Sequence, residues 1–420
     1  MPPAVKSRVD PNTTRRIAVL LIALICVAAQ AALLYSLREQ IRKGAADFID
    51  LYTGGRIVAA GHASRLYDLP YQAQIEATAA GRSNSNYILP FVHPPFFAVW
   101  LAPIGFMPYP AAYYVWWIAN QCFFWLSLLV IDRVLGGDTL GPARVACAGL
   151  LFLPVTIAFW QGQDSILSLF LFSLAYLLLS RGRAGLAGAV LGLAAFKPQL
   201  ALLMLLLLLF TWRGKLRLAI GFIASCAAQV AIAIAVLGWP LVAGYPKALA
   251  SITSTYDEAH FHPDSMPNLW GLLHLLLAGH MPLKALTAVN IVLSALLLLG
   301  TILALRSRNA RMQPENLRYG LAAAAAFLTA YHGHFHDMSV LLLPLLFAWN
   351  WLAAKRPHGW NWRLLLLSVA VPFSGLLIAG FAARLLPPLF ACAGLFFWAV
   401  LLFNLVAPAP VPAIAPSAAD

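Results

Sequence analysis

Apolar residues in this chain come in long blocks, and most polar residues are gathered into a few stretches between them. A helix needs about twenty apolar residues to cross a ~30 Å hydrocarbon layer at 1.5 Å of rise per residue. On that rule the pattern predicts twelve spans, at about 16–36, 111–131, 145–160, 164–180, 184–196, 198–211, 217–238, 286–305, 318–333, 338–353, 363–381 and 385–405. The largest polar region, Arg38 to Tyr109, follows the first block. Its pattern predicts amphipathic helices near Phe48–Ala60 and Tyr71–Ala80, each followed by a glycine. A further apolar piece, Pro94 to Phe106, is about a dozen residues long and bounded by prolines. That length suits a re-entrant or interfacial segment rather than a span.

One stretch admits two readings. Ala184 to Phe210 could form a single helix of 27 residues, roughly 40 Å long. It is interrupted by Phe196-Lys197-Pro198-Gln199, and an internal proline removes a hydrogen bond and clashes with the preceding turn. A single span would also put Arg213, Lys215 and Arg217 outside and invert everything after them, unless the short segment Leu269–Ala278 crossed to compensate. Two half-helices meeting at Lys197 on the outer side is the preferred reading.

Composition strengthens the membrane reading. Of 420 residues, 61% are hydrophobic and 10% charged, and the mean hydropathy is +0.79. A soluble chain carries roughly a quarter charged residues. The fold class expected is an all-α polytopic membrane protein, a bundle of about twelve transmembrane helices with a long first extracytoplasmic loop. A transmembrane barrel is excluded, because its strands would alternate in polarity. The organisation expected is a cytoplasmic tail (1–15), one transmembrane domain (16–405) with outer loops at 37–110 and 239–285, and a second cytoplasmic tail (406–420). Ile17 to Leu34 follows Arg15-Arg16 without a convincing cleavage site, so it reads as an uncleaved first helix.

The net charge of +13 does not point to nucleic acid, because the basic residues are scattered between spans. With both termini cytoplasmic, 18 of the 28 Lys and Arg residues fall on the inner side and six of the rest in the long first loop. This is the positive-inside bias of an inner-membrane protein. All five cysteines sit in apolar runs with no metal-ligand spacing.

On this topology the unusual polar residues reach one face. They are Asp47, Asp50, Asp68 and His93 in the first loop, Gln161-Gly162-Gln163-Asp164 between two spans, and Lys197 at the hairpin tip. Tyr256-Asp257-Glu258, His260, His262, Asp264 and Asn268 follow in the second loop, then His332, His334, His336 and Asp337. Ionisable residues at membrane depth are costly and usually line a site. Plainer roles exist for each. Asp47 or Asp50 could be a helix N-cap, Lys197 could snorkel to the interface, and Tyr113 to Trp117 could form an interfacial aromatic belt. The i, i+2, i+4 spacing of the histidines does not place three imidazoles on one helical face, and a metal is not expected. No Walker loop, dinucleotide fingerprint or Gly-x-Ser-x-Gly elbow occurs.

Asp47-Phe48, Tyr52, Gly61 and Leu66-Tyr67-Asp68 resemble the first-loop signature of glycosyltransferase family 87, membrane enzymes of the GT-C superfamily that include polyprenyl-phosphomannose-dependent α-mannosyltransferases. His93-Pro94-Pro95 with Leu101-Ala102-Pro103, Gly162-Gln163, and Gly188 to Gln199 are similar to further family segments. The chain departs from the family where Ala330-Tyr331-His332 and Asp337-Met338 stand in place of Ser-Pro-His and Asp-Leu. The resemblance implies transfer of a sugar, mannose being expected, from a polyprenyl-phosphate donor to an outer-face lipid or glycan acceptor, with inversion. It implies Asp47 as general base, with Asp50 as second choice. Lys197, His332 and His336 are then expected at the donor phosphate, and Asp337, Gln163 and His93 as orienting or substrate-binding residues. Neither metal nor other cofactor is expected. A transporter or flippase for a lipid-linked sugar is the alternative; it would spread charge along the midplane. A purely structural subunit would not need the converging carboxylates, lysine and histidines.

Overall fold

A computed structural model of the chain describes residues 11–83, 88–136, 141–255, 263–355, 360–374 and 385–407. Tyr256-Asp257-Glu258, His260, His262, most of both tails and the end of the predicted span 363–381 lie outside the described residues. Every regular element among the described residues is helical. The chain runs through α1 (Pro11–Ser36) and α2 (Arg38–Arg42) into the first loop, which holds α3 (Phe48–Ala59), α4 (Leu69–Ala79) and α5 (Pro95–Gly105). Next come α6 (Tyr109–Leu135), α7 (Gly141–Leu151), α8 (Leu153–Gln161), α9 (Ser165–Ser180), α10 (Ala184–Leu193), α11 (Pro198–Thr211) and α12 (Lys215–Leu237). The second loop contributes α13 (Trp239–Thr255) and α14 (Leu269–Leu277). The bundle is completed by α15 (Leu283–Arg306), α16 (Arg308–Arg311), α17 (Glu315–Thr329), α18 (Leu342–Lys355), α19 (Trp360–Ala370) and α20 (Leu386–Val406).

Among the described residues each apolar block becomes helix, but not each becomes a long one. Among the described residues, five segments could cross a membrane by length and composition: Tyr109–Leu135, Lys215–Leu237, Leu283–Arg306, Phe335–Ala354 and Leu386–Val406. Of the other predicted spans, the first lies within the 26-residue α1, while those at 145–160, 164–180, 184–196, 198–211 and 318–333 are shorter or broken. Pro154 breaks the block at 145–160, ending α7 and starting α8, where proline at the first turn lacks only a hydrogen bond that the helix would not make. The block at 184–211 breaks as the proline dictates. After α10 comes a 3₁₀ turn (Ala194–Phe196), then Lys197, then α11 opening on Pro198. Leu269–Leu277 is nine residues long and cannot cross. The helix therefore breaks at Lys197, as the reading with two half-helices expects.

Glycines set the closest approaches. A Cβ on Gly188 would run into the Leu218 carbonyl oxygen, and one on Gly221 into the Gly185 carbonyl oxygen, so α10 and α12 touch backbone to backbone. In the first loop Gly55 and Gly105 do the same for α3 and α5.

The first loop is stitched by buried side chains of α4. Gln72 donates to the Leu66 carbonyl (2.7 Å) and accepts from the Phe91 amide (2.8 Å), while both Glu76 oxygens accept from the Leu89 amide (3.2 Å). Tyr67 then donates to the His93 carbonyl (2.7 Å). Tyr245 of α13 donates to the Val92 carbonyl (3.0 Å), tying the second loop to the first. These contacts fix the extended segment that delivers His93 to the bundle.

Candidate active site

Asp47 stands immediately before α3, and the sequence allowed it to be an N-cap. Its side chain makes no cap bond. Instead its Oδ2 accepts a hydrogen bond from Gln163 Nε2 at 3.0 Å, joining the first loop to the turn between α8 and α9. Asp68 is the residue that does cap, accepting from the Tyr71 amide at 3.1 Å and pairing with Arg65. Asp50 lies deeper than Asp47, bonds the neighbouring Leu51 amide, and is 9% exposed. Burial raises the Asp47 carboxyl to about 6, although the Gln163 bond works the other way. Burial, together with Asp47 and Asp164, pushes Asp50 well above the carboxylate range, favouring its protonated form.

The turn Gly162–Ser165 is held from several sides. Gly162 takes a left-handed conformation (φ +66°), and a Cβ there would press on Phe48. Its carbonyl accepts from Trp116 Nε1 at 2.8 Å, and the Gln163 carbonyl accepts from Asn120 Nδ2 at 3.0 Å. Tyr113 donates to the Trp160 carbonyl at 2.6 Å. Tyr113 and Trp116 are buried, whereas Tyr114 and Val115 face outward. The expected aromatic belt is thus corrected: at helical spacing, half of it faces inward and supports the turn.

Asp164 and Ser165 reach the bundle interior. Lys197 Nζ lies 2.6 Å from Asp164 Oδ1 and 3.0 Å from Ser165 Oγ, and it pairs directly with Asp337 Oδ1. Ser165 Oγ donates to the same Asp337 oxygen at 2.8 Å. Lys197 is 5% exposed, and the two carboxylates 0% and 2%. Burial works against the ammonium charge, but Asp164 and Asp337 outweigh it and raise its affinity for the proton. An ammonium has three N–H bonds, and three acceptors of the protein surround this one. Lys197 was expected at the donor phosphate. In the structure its charge faces two buried carboxylates and the Ser165 hydroxyl.

Histidines flank this ion cluster. His93 Nε2 is 3.8 Å from Asp164 Oδ2, and His93 Nδ1 contacts the Phe196 carbonyl at 3.2 Å. His336 Nε2 is 3.6 Å from Asp337 Oδ2, and its Nδ1 meets Gln161 Oε1 at 3.1 Å. Asp337 Oδ2 also accepts from the His334 amide at 2.9 Å. The rings of His332 and His334 meet edge to face at 4.5 Å, and those of His334 and His336 lie 5.7 Å apart. Gln199 donates to the His332 carbonyl at 3.0 Å. His332 is half-buried, and burial lowers its imidazole to about 4, so it is neutral near pH 7.

Gln163 bonds Asp47 directly, and Lys197, Asp337, His336 and His93 form a neighbouring cluster joined to that pair through the Gly162–Ser165 turn. His332 lies at the cluster's edge and Asp50 behind Asp47. Ser165, Asn120 and Trp116 were missed. A serine opening a helix is ordinary in sequence, and Asn120 was one polar residue in a predicted span.

The sequence profile of glycosyltransferase family 87 matches residues 91–330. The chain belongs to glycosyltransferase family 87. Comparisons with the curated proteins and with the solved structures find no match. Family 87 membership makes it a membrane glycosyltransferase. The family match covers His93, the Gly162–Ser165 turn and Lys197; Asp47 and His332 to Asp337 lie outside it and join the site through contacts in the fold.

Proposed function

We propose that this family 87 enzyme transfers a sugar, mannose being the first candidate, from a polyprenyl-phosphate donor to a lipid or glycan acceptor on the outer membrane face. The observation that carries the reading is the Asp47–Gln163 hydrogen bond. It orients a half-buried carboxylate that is raised toward neutrality yet able to ionise, as a general base requires. Asp47 takes the proton of the acceptor hydroxyl. The oxygen attacks the anomeric carbon as the bond to the lipid phosphate breaks, and the configuration inverts. Asp50 is the weaker candidate because it is more deeply buried and favours its protonated form.

The leaving phosphate needs hydrogen-bond donors. His332, half-buried and neutral, is the candidate for that contact, with the ring of His334 edge-on to it and that of His336 beyond. Lys197 acts at one remove, holding Asp164 and Asp337 in place. His93 and Gln163 orient rather than react. The reading needs no metal.

The test is transfer by the purified protein given polyprenyl-phosphomannose and a membrane-lipid acceptor pool, with Asp47→Asn run beside wild type and EDTA present in both. Transfer that falls by roughly 10²–10⁴-fold in the variant supports Asp47 as base. Transfer undiminished in Asp47→Asn moves the base to Asp50. Absence of transfer from any polyprenyl-phosphosugar would return the lipid-linked-sugar flippase to first place.

A further inference from the structure

Two features meet in four residues. Gln163, on one side of the Gly162–Ser165 turn, carries the hydrogen bond to Asp47. Its sequence neighbours Asp164 and Ser165 both contact the Lys197 ammonium, and Ser165 also bonds Asp337. The backbone between is pinned at Gly162 by Trp116 and at Gln163 by Asn120. A buried carboxylate and lysine give up their hydration, and the pair is retained only with good geometry and further hydrogen bonds. Replacement by apolar residues of similar volume is often neutral or stabilising, so stability alone does not account for an ion cluster at this point.

The geometry points to Asp164 as a positioning residue: paired with Lys197, it fixes the turn that presents Gln163 to Asp47. The inference rests on the reading of Asp47 as the base. It assigns the Asp164–Lys197–Asp337 cluster a purpose that phosphate contact does not supply. Asp164 acts through Gln163, never on substrate. Ser165 supports it by bridging Lys197 and Asp337.

Asp47 acts on Asp50 of α3 and on Tyr109 of α6, while Asp164 beside the turn and Glu76 of α4 act on Asp50. The Gln163 bond lowers the Asp47 carboxyl, so losing it moves the acid limb of the pH–rate profile upward. Removing the Asp164 charge alone would move the limb downward, because a nearby negative charge disfavours ionisation. The sign separates the two.

The experiment measures kcat/KM for sugar transfer against pH in wild type, Gln163→Ala, Asp164→Asn and the double variant. Thermal unfolding in detergent is recorded for each. The expected result is a fall in kcat of roughly ten- to a hundredfold in each single variant with donor KM little changed. The acid limb moves up by about one pH unit in both, and the double variant is no worse than either single. An acid limb that rises in Gln163→Ala but stays or falls in Asp164→Asn would overturn the inference, as would additive losses in the double variant. Should Asp164→Asn unfold, the triple variant Asp164→Asn, Lys197→Met, Asp337→Asn removes the whole ion cluster without leaving a lone buried charge and carries the same expectations. A wild-type profile with no limb near pH 6 would instead overturn the base assignment. The two failures are therefore distinct.

Discussion

Asp47 is a half-buried ionisable group and Lys197 a buried one, and the fold treats them in opposite ways. Asp47 is lifted to about 6 by burial, with one neutral amide as partner. A base must be unprotonated to act, so kcat/KM should be flat above about pH 7 and fall tenfold per unit below about 6. A carboxylate of ordinary affinity would place that fall near pH 4. A pH–rate profile of the purified wild-type enzyme decides between them. Lys197 is held charged by two carboxylates. Lys197→Met would leave Asp164 and Asp337 buried without their cation, at a cost of about 3–5 kcal/mol. The expected outcome is a large drop in melting temperature in detergent. A phosphate ligand would behave differently: its removal would raise donor KM and leave the melting temperature where it was.

At the level of elements, the contact between α10 and α12 is the most demanding. Gly188→Ala puts a methyl group against the Leu218 carbonyl and should destabilise the protein by about 1–3 kcal/mol. Gly185→Ala is the matched control. Its Cβ would sit 3.7 Å from the Arg217 carbonyl, an ordinary contact, and alanine is the better helix former. Parallel melts of the two variants should separate them, and equal melting temperatures would count against the packing described here. The contrast also shows what sequence could tell. Hydrophobic blocks, the proline at 198 and the glycines after α3 and α4 were all legible, because each acts through local backbone geometry. Which of two neighbouring glycines meets a partner helix was not, since that depends on a register formed only in three dimensions. The same limit hid the inward-facing half of Tyr113–Trp117 and the partners of Lys197. Sequence placed the lysine at a hairpin tip; only packing revealed that Asp164, Ser165 and Asp337 already surround it.

Across the whole molecule, chain direction separates the ion cluster from the basic turns. From Asp164, α9 runs away to Arg181 and Arg183, α10 returns to Lys197, and α11 runs away again to Arg213 and Lys215. Arg318 donates to the Thr211 carbonyl at 3.0 Å, so α17 begins at that far end and finishes beside Asn268, which bonds the Ala330 carbonyl at 2.8 Å. Arg181, Arg183, Arg213, Lys215 and Arg318 thus gather opposite the Asp47–Lys197 network. Positive charge on short connections marks the cytoplasmic side; on that rule we propose that the site faces outward, where the sugar of a lipid-phosphate donor would hang. Single cysteines introduced into a cysteine-free background test this directly. Ser64→Cys, exposed in the first loop, should react with a membrane-impermeant maleimide in intact cells. Lys215→Cys, exposed at the start of α12, should react only after permeabilisation. The opposite pattern would turn the site toward the cytoplasm. It would remove the reason for assigning an outer-face acceptor, while leaving the family and the geometry around Asp47 untouched.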